Sequence, residues 1–340
     1  MNILVTGGAG YIGSHTIISL IDNGFSVIVI DNFCSGHIEA TDAVSKYENE
    51  KIKVYDGDFS DAGLLDDIIK RHNINGVIHF AAHSLVGESM DEPLKYYKNN
   101  VAKTILFLEF LKKSGINNFV FSSSAAVYGT SDKNPIDEAS PLNPINAYGN
   151  TKLVVENILG SMDRAYGFKY ISLRYFNAAG ANKSGQIGED HNPETHLIPR
   201  VLKSVATGEN KAVVFGNDYP TDDGTAIRDY IHVDDLSYAH VLSLKFLIEN
   251  EKSKSGAYNL GYEKGYSVMD VLGKIEEITG KKLKVEFTGR REGDPAILVA
   301  SHEKIKKELG FEFKYNICDI ISSAWNWHSN HPNGFSKAQA

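Results

Sequence analysis

Hydrophobic residues in the first half of the chain alternate between short continuous runs and helical spacing. The continuous runs are rich in β-branched residues and predict buried strands at Ile3–Val5, Val27–Ile30, Ile52–Tyr55, Gly76–Phe80, Phe119–Phe121 and Tyr170–Leu173. Apolar residues with helical periodicity predict helices near residues 11–23, 61–72, 93–113 and 147–166. Apolar strands separated by helices are typical of a parallel sheet that is covered on both faces. We therefore predict an α/β fold built on a doubly wound parallel sheet.

The rhythm changes after residue 178, where glycine and asparagine become frequent and shorter elements mix irregularly. We predict two domains: residues 1–178 form the parallel sheet, and residues 179–340 form a smaller α+β domain that covers its crevice. The segment from Val233 to Leu247 has the apolar spacing of a helix. This segment, about residues 233–248, can return to pack on the first domain.

The composition is that of an ordinary globular protein, with 42% hydrophobic and 23% charged residues. A net charge of −8 disfavours non-specific binding to nucleic acid or to anionic membranes. Cys34 and Cys318 lie far apart, which favours two reduced thiols over a disulfide. No secretory leader pattern or membrane-length apolar stretch is found, so we expect a cytoplasmic protein. His328 and His331 have no acidic or cysteine partners at ligand spacing, and we predict no metal site among the histidines.

A glycine-rich loop, Gly7-Gly8-Ala9-Gly10-Tyr11-Ile12-Gly13, joins the first predicted strand to the first predicted helix. Glycines at this spacing allow a tight turn, close approach of the backbone to a pyrophosphate, and close packing of the helix. Asp31, at the end of the second strand, lies where a carboxylate grasps a ribose diol, which favours NAD over NADP. We therefore predict a Rossmann domain that binds NAD. Residues after the third and fourth strands would line the adenine and central crevice: Asp58, Phe59, Phe80, Ala81 and Ala82.

A possible proton-transfer set follows the fifth strand. Tyr148 and Lys152 are four positions apart and share one face of a predicted helix, and Ser124 ends the serine triplet before it. A tyrosine base at neutral pH needs its pKa lowered by roughly three units, or about 4 kcal/mol. A positive charge ~4 Å away supplies that much only in a dry cleft. We therefore expect Lys152 and a positive nicotinamide ring together to make Tyr148 the base, while Ser124 relays the proton.

These elements together resemble the extended short-chain dehydrogenase/reductase family. The glycine loop, Asp31, the serine triplet and the Tyr148-to-Lys152 spacing carry that resemblance. Longer strings narrow it to the UDP-glucose (UDP-galactose) 4-epimerases: residues 122–129 (SSSAAVYG), 174–180 (RYFNAAG), 215–225 (FGNDYPTDDGT), 228–233 (RDYIHV) and 325–335 (WNWHSNHPNGF).

The resemblance implies a tightly held NAD that is regenerated in every cycle. Tyr148 would take the proton of the sugar 4-hydroxyl while C4 gives a hydride to NAD, and the resulting 4-keto sugar would turn over before the hydride returns. The implied NAD-binding positions are Gly7, Gly10, Tyr11, Ile12, Gly13, Asp31, Asn32, Asp58, Phe59, Phe80, Ala81, Ala82, Asn99, Ser122, Tyr148, Lys152 and Tyr175. The implied substrate-binding positions are Ser124, Phe176, Asn177, His196, Leu197, Val213, Phe215, Arg228, Tyr230, Arg291, Asp294 and Leu298. The implied substrates are UDP-glucose and UDP-galactose, in galactose metabolism and polysaccharide precursor supply.

The chain departs from the commonest pattern of this family at three positions. Ser84 stands where lysine is common beside the nicotinamide, and His196 stands where asparagine is common. Leu298 replaces a gate residue that is tyrosine or cysteine in relatives, and its intermediate size leaves activity on UDP-N-acetylhexosamines open. A related dehydratase or decarboxylase is an alternative, but dehydratases usually carry Thr-Asp-Glu at the serine triplet. A catalytically silent NAD-dependent sensor is a second alternative.

The resemblance also implies a homodimer. The predicted helices at 93–113 and 147–166 have apolar faces that could form a four-helix bundle between two subunits. Packing of the same faces inside one monomer is the competing explanation.

Overall fold

The chain is built from helices and strands that alternate through most of its length. The computed structural model describes residues 1–47, 52–131, 133–250, 254–291 and 294–335. The strands are β1 (Asn2–Thr6), β2 (Ser26–Asp31), β3 (Ile52–Asp56), β4 (Ile74–His79), β5 (Asn118–Ser122), β6 (Lys169–Tyr175), β7 (Asn177–Ala179), β8 (Lys211–Phe215), β9 (Ile227–His232), β10 (Gly256–Leu260), β11 (Gly265–Ser267), β12 (Lys284–Thr288) and β13 (Ile297–Leu298). The helices are α1 (Tyr11–Asp22), α2 (Ile38–Tyr47), α3 (Ala62–Arg71), α4 (Val86–Asp91), α5 (Pro93–Tyr96), α6 (Lys103–Lys113), α7 (Ala147–Tyr166), α8 (Leu197–Ala206), α9 (Val233–Glu249), α10 (Val268–Thr279), α11 (Glu303–Leu309) and α12 (Ile317–Asn330).

Seven parallel strands form the main sheet in the order β10-β6-β5-β4-β1-β2-β3. The predicted doubly wound α/β fold is confirmed. The strand order changes direction at β1, with β2 on one side of it and β4 on the other. In such sheets ligands bind at this point, in the crevice outside the carboxyl ends of the strands. The seventh strand, β10, was not among the predicted strands, because its sequence lies after an excursion of about eighty residues into the second half of the chain.

The strand β3 differs from its prediction as a buried strand. It lies at the edge of the sheet and pairs only with β2 among the described strands. Lys53 is exposed and Val54 keeps 39% of its surface exposed. An edge strand has one neighbour, so a β-branched run alone does not report whether both of its faces are covered.

The helix α9 covers the main sheet, although it follows strands of the smaller sheet in the sequence. It packs along α1 and against β4, β5 and β6. Leu236, Val241, Leu244 and Leu247 of α9 join one hydrophobic core with the interior residues of β1 and β2. The opposite face of the sheet packs on α3, α6 and α7.

The second half of the chain forms a smaller sheet and a strand pair. β9 pairs with β7, β11 and β13, and β8 pairs with β12. A separate hydrophobic core joins α8, α10 and α12 to these strands. β7 follows β6 after a single residue, so the smaller sheet begins at the carboxyl edge of the main sheet. No described helix is long and apolar enough to span a membrane.

Candidate functional site

The glycine loop between β1 and α1 is shaped by the backbone of its neighbours. Gly7 has a φ of +74°, and a Cβ there would lie 2.6 Å from the backbone nitrogen of Ala81. A Cβ on Gly13 would lie 2.2 Å from the carbonyl oxygen of Gly7. At Gly10 a Cβ would meet a single described atom, at 3.4 Å. Gly7 and Gly13 therefore satisfy backbone packing, whereas Gly10 leaves open space in front of the α1 N-terminus, where a pyrophosphate fits.

Asp31 lies at the carboxyl end of β2, and its carboxylate is held against the glycine loop. Its Oδ2 accepts a hydrogen bond from the backbone nitrogen of Ala9 at 2.9 Å, and its Oδ1 accepts one from Phe33. Burial raises the pKa of Asp31, while these backbone hydrogen bonds lower it. Asn32 beside it is exposed, and its side chain accepts from the Cys34 backbone nitrogen. The carboxylate thus lies where a ribose diol would be bound.

Other predicted cofactor positions lie along the same edge of the sheet. Asp58 forms an ion pair with Lys103 on α6, which lowers the pKa of Asp58 against the raising effect of its burial. Phe80 packs on His240 of α9, with ring centroids 4.7 Å apart. Asn99 donates to Asn100 Oδ1 in a π-helical turn, Tyr97–Ala102, between α5 and α6. No residue pattern predicted this turn, which distorts the helix predicted at 93–113.

Tyr11 joins the loop to the second half of the chain. Its hydroxyl donates to the carbonyl oxygen of Gly180 at 2.7 Å. Burial raises the pKa of Tyr11 well above its ordinary value, and Glu189 raises it further. Tyr11, the first residue of α1, therefore belongs to the cofactor loop and also contacts the second half of the chain.

The start of α7 is pressed against the turn that follows the serine triplet. The Asn146 side chain caps α7 by accepting from the backbone nitrogen of Gly149 at 2.7 Å. A Cβ on Gly149 would lie 2.4 Å from the carbonyl oxygen of Ala126. This glycine lets the helix approach the Ala125–Val127 turn closely, and the approach brings Tyr148 beside Ser124.

Lys152 is buried one helical turn after Tyr148. Its Nζ donates to the carbonyl oxygen of Ser122 at 2.7 Å and lies 5.7 Å from the centroid of the Tyr148 ring. Burial lowers the pKa of Lys152 to about 7, against a raising effect of Glu156. The hydroxyl of Ser122 in turn pairs with the Tyr175 hydroxyl at 2.7 Å.

The protein groups by themselves keep Tyr148 protonated. Burial raises the pKa of Tyr148, and Tyr175 raises it further, whereas a hydrogen bond with Ser124 lowers it. Lys152 lies beside the phenol ring of Tyr148. Lowering the pKa of Tyr148 far enough for base chemistry needs a second positive charge as well. The oxidised nicotinamide of NAD carries such a charge.

A buried network that the sequence analysis missed supports the serine triplet. Glu156 lies on α7 one turn beyond Lys152, accepts from Ser123 Oγ at 2.5 Å, and forms a buried ion pair with Arg174 on β6. Arg174 also donates to the Tyr128 hydroxyl at 2.9 Å. The spacing of Glu156 four residues after Lys152 was a signal for a shared helical face, but only the fold shows that Arg174 neutralises it.

The second half of the chain contributes arginines and aromatic rings. Arg228 on β9 forms an ion pair with Asp294 and also donates to a backbone carbonyl. The guanidinium of Arg291 lies 4.1 Å from the centroid of the Phe215 ring, and that of Arg200 lies 5.9 Å from the same ring. Arg200 was not predicted, because a lone arginine on an amphipathic helix carries no sequence signal of its own.

An apolar contact connects these arginines to the serine triplet. Phe176 and Leu298 pack in one cluster with Val127, three residues after Ser124. Leu298 is the register partner of Arg228 in the pairing of β13 with β9. Leu298 therefore links β9, the strand that carries Arg228, to the turn that follows Ser124.

The remaining predicted substrate positions lie on β7, β8, β9 and α8. Tyr230 is buried on β9, and burial raises its pKa to about 12. The Asn177 side chain donates to the backbone carbonyl of Asp229 at 3.0 Å. Leu197 and Val213 line one small cavity beside α8.

His196 precedes α8 and is held by a carboxylate that the sequence analysis missed. Its Nδ1 lies 2.5 Å from Oε1 of Glu189, which is buried. Glu189 and Glu194 flank His191 as well as His196. The repeated pattern Glu-x-His-x-x-Glu-x-His in residues 189–196 was the available signal.

Comparison with known proteins agrees with this arrangement. The model of the GDP-mannose 4,6 dehydratase family matches residues 4–324. The UDP-glucose 4-epimerase of Halalkalibacterium halodurans is 49% identical over 99% of this chain and 98% of its own length.

Two similar solved structures are also those of 4-epimerases. UDP-glucose 4-epimerase from Bifidobacterium longum, crystallised in complex with NAD+ and UDP, superposes with a TM-score of 0.93 at 41% identity, covering 98% of this chain and 100% of that one. The UDP-Glc/GlcNAc 4-epimerase from Campylobacter jejuni superposes with a TM-score of 0.83 at 38% identity, covering 97% of this chain and 99% of that one. The chain therefore belongs to the UDP-glucose 4-epimerase family, within the extended short-chain dehydrogenases/reductases.

Proposed function

We propose that this protein interconverts UDP-glucose and UDP-galactose by epimerisation at sugar C4, with tightly bound NAD, in galactose metabolism in the cytoplasm. The observation that carries the proposal is the contact of two half-sites. Ser124, Tyr148 and Lys152 lie beside the NAD-binding edge, and Leu298, which packs in the cluster with Val127 and Phe176, is the register partner of Arg228, which pairs with Asp294.

The residues at the sheet edge fit NAD. The open space at Gly10 would hold a pyrophosphate at the α1 N-terminus, and the Asp31 carboxylate would hold a ribose diol. The chemistry that NAD would supply when bound is to accept a hydride from sugar C4 and to give it back to the other face of the ring. Gly7 packs against the backbone of Ala81, and Gly13 packs against Gly7, so these two glycines would set the shape of the loop that holds the cofactor.

Tyr148 holds and moves the proton of the sugar 4-hydroxyl. Tyr148 can accept that proton only as the phenolate, which forms only when positive charge surrounds it, because burial alone favours the neutral phenol. Lys152 supplies part of that charge. Its 2.7 Å hydrogen bond to the carbonyl oxygen of Ser122 holds the ammonium in position. Ser124 bonds the reacting oxygen and orients it toward the phenol.

The nucleotide end of the substrate is held by separate groups. Arg228 and Arg291 bind the diphosphate, because a guanidinium matches phosphate oxygens with two parallel hydrogen bonds. Phe215 offers its ring to the uracil, and Asp294 binds the uridine ribose. Firm binding at this end allows the sugar to be held loosely and to present either face to the hydride donor.

Purified protein and UDP-galactose test this proposal directly. Without added NAD the protein should form UDP-glucose, because the cofactor is retained and regenerated. The NAD content of the same sample is measured after denaturation. A sample that contains NAD at about one per chain but does not interconvert the two sugars would overturn the proposal.

Activity on UDP-N-acetylhexosamines is a second candidate function. Leu298 is partly buried and lies in the apolar cluster with Phe176. An aliphatic side chain fills less of the sugar pocket than tyrosine and leaves room for an N-acetyl group. A coupled assay that compares UDP-galactose with UDP-N-acetylgalactosamine decides whether the protein accepts both.

We also propose a homodimer formed through the helices at 93–113 and 147–166. Phe107 and Leu111 of α6 are buried inside the monomer, which satisfies one face of that helix. Leu94 keeps 80% of its surface exposed, Leu106 keeps 54% and Ile105 keeps 44%. These three residues define the exposed helix patch, and a second copy of the chain is the partner that would cover it.

A further inference from the structure

The four side chains of Glu189, His191, Glu194 and His196 form a compact donor cluster before α8. One ligand atom from each residue lies within 4.8 Å of all the others. The Nδ1 atoms of His191 and His196 lie 3.2 Å and 2.5 Å from Glu189 Oε1, and 3.8 Å and 3.7 Å from the two oxygens of Glu194. Two imidazole nitrogens and two carboxylates converge here within eight residues of chain.

A second observation at this cluster is an unpartnered buried oxygen. The Glu194 side chain is only 9% exposed, and its Oε2 has no hydrogen-bond partner among the described residues. That oxygen is 3.8 Å from His191 Nδ1, so it points into the cluster. A buried carboxylate oxygen without a hydrogen-bond partner costs free energy unless a cation, either a metal ion or a protonated His191, lies beside it.

We propose that Glu189, His191, Glu194 and His196 bind one divalent transition-metal ion of the Zn²⁺ type. Imidazole and carboxylate together are a common ligand set for Zn²⁺, at about 2.0–2.2 Å. Four ligands at those distances in a tetrahedron are roughly 3.3 Å apart. The four histidine–carboxylate separations of 2.5 to 3.8 Å bracket that value, and no two ligand atoms of the cluster are more than 4.8 Å apart.

Charge and access both favour a divalent cation. Glu189 is buried and Glu194 nearly so, and one divalent ion neutralises the two carboxylates when both imidazoles are neutral. The His196 side chain is 57% exposed, which leaves a path from solvent to the cluster. The competing arrangement is a metal-free ion cluster with protonated histidines. Burial lowers the pKa of His191, but the neighbouring carboxylates of Glu189 and Glu194 raise it to about 10, which fits that arrangement.

The position of the ion would connect the two halves of the site. His191 packs edge-on against Tyr11 of the glycine loop, with ring centroids 6.3 Å apart. His196 directly precedes α8, which carries Leu197 and Arg200. A bound ion would fix the start of α8 relative to the cofactor loop, so it would stabilise the protein and not take part in the proton transfer.

Metal analysis of the NAD-containing protein tests the site without reference to its activity. Chelator-treated protein is dialysed against Zn²⁺, and bound zinc is measured per chain. We expect about one zinc, and a visible tetrahedral spectrum when Co²⁺ replaces it. His191→Ala and Glu194→Gln should each weaken binding by about tenfold or more.

The matched control is His302→Ala. His302 belongs to a second donor group, with Glu263 and Glu303, that has only one imidazole. We expect this variant to bind zinc as the parent does. Circular dichroism and NAD content establish that every variant is folded. The proposal fails if the parent binds no zinc, if His191→Ala binds it equally well, or if His302→Ala removes it.

Discussion

Lys152 donates from Nζ to the carbonyl oxygen of Ser122 at 2.7 Å, and this contact joins the buried face of α7 to the end of β5. The ammonium is therefore held in place by the backbone that also carries the serine triplet. Its position relative to Tyr148 does not depend on a flexible surface ion pair. Each of the two residues is buried, so a positive charge on Lys152 would be little screened by water.

Tyr148→Phe removes the proton-transferring hydroxyl and keeps the ring. We expect kcat for UDP-galactose to fall by roughly 10²–10⁴, since general base catalysis contributes about that much. The measurement is a coupled assay of UDP-glucose formation, with NAD content determined on the same sample. Tyr166→Phe is the control, because Tyr166 ends the same helix and is 57% exposed. Unchanged kcat in Tyr148→Phe would remove Tyr148 from the proton transfer and favour the sensor alternative.

Arg228→Lys retains the positive charge and removes the guanidinium fork. We expect KM for UDP-galactose to rise about tenfold, because a charged hydrogen bond to phosphate contributes roughly 1.5–3 kcal/mol. NAD content should stay constant, since Arg228 lies on β9 and not on the glycine loop. Arg290→Lys is the matched control, as Arg290 pairs with the exposed Asp218. Equal KM values in parent and Arg228→Lys would contradict the diphosphate role.

Leu298→Tyr adds bulk to the cluster with Phe176. We expect the ratio of kcat/KM for UDP-N-acetylgalactosamine to that for UDP-galactose to fall by about tenfold, which corresponds to about 1.4 kcal/mol. Both rates are measured on one enzyme preparation. Leu142→Tyr, at a partly exposed leucine elsewhere, should leave the ratio unchanged. A ratio that does not move in Leu298→Tyr would show that this position does not control the N-acetyl group.

Buried neutral histidines should make the fold sensitive to acid. Burial, helped by Lys152, lowers the pKa of His79 from 6.5 to about 3. The unfolded chain therefore binds a proton that the folded chain excludes, so the stability is fully present above pH 6.5 and is lost as the pH falls toward 3. Between about pH 7 and about pH 5, His79 should account for about 2 kcal/mol of the lost unfolding free energy.

Urea denaturation of His79→Phe at those two pH values measures this contribution. The difference between the two unfolding free energies should be smaller in the variant than in the parent by that amount. His72→Phe is the control, because His72 is half-buried and bonds the Tyr55 hydroxyl near the sheet edge. An unchanged pH dependence in His79→Phe would mean that His79 does not contribute to acid sensitivity.

Leu106→Glu tests the homodimer. In the variant, dimer formation would bury a carboxylate within the exposed helix patch of Leu94, Ile105 and Leu106. Burying an unpaired charge costs more free energy than burying a leucine side chain gains. Sedimentation of the parent should give twice the chain mass, and that of the variant should give the chain mass. Phe287→Glu, at a phenylalanine 50% exposed on β12, should sediment as the parent does. A parent that sediments only as a monomer would remove the proposal.

The amino-acid sequence determined the elements with local signals. The runs around Ile3 and Val27 predicted parallel strands, because continuous apolar residues report burial on both faces. The glycine loop and Asp31 indicated the NAD site, because close backbone packing demands glycine wherever it occurs. The four-residue spacing of Tyr148 and Lys152 already placed both side chains on one helical face.

Only the tertiary structure decided the features that depend on distant parts of the chain. The seventh strand, β10, and the exposure of β3 follow from sheet order, which local periodicity does not encode. The pKa of Lys152 depends on burial under residues remote in sequence, and the ion pair of Glu156 with Arg174 depends on the pairing of α7 with β6. Residue type and spacing determine which chemical groups lie near each other locally, whereas burial and electrostatic environment arise only when separate segments pack together.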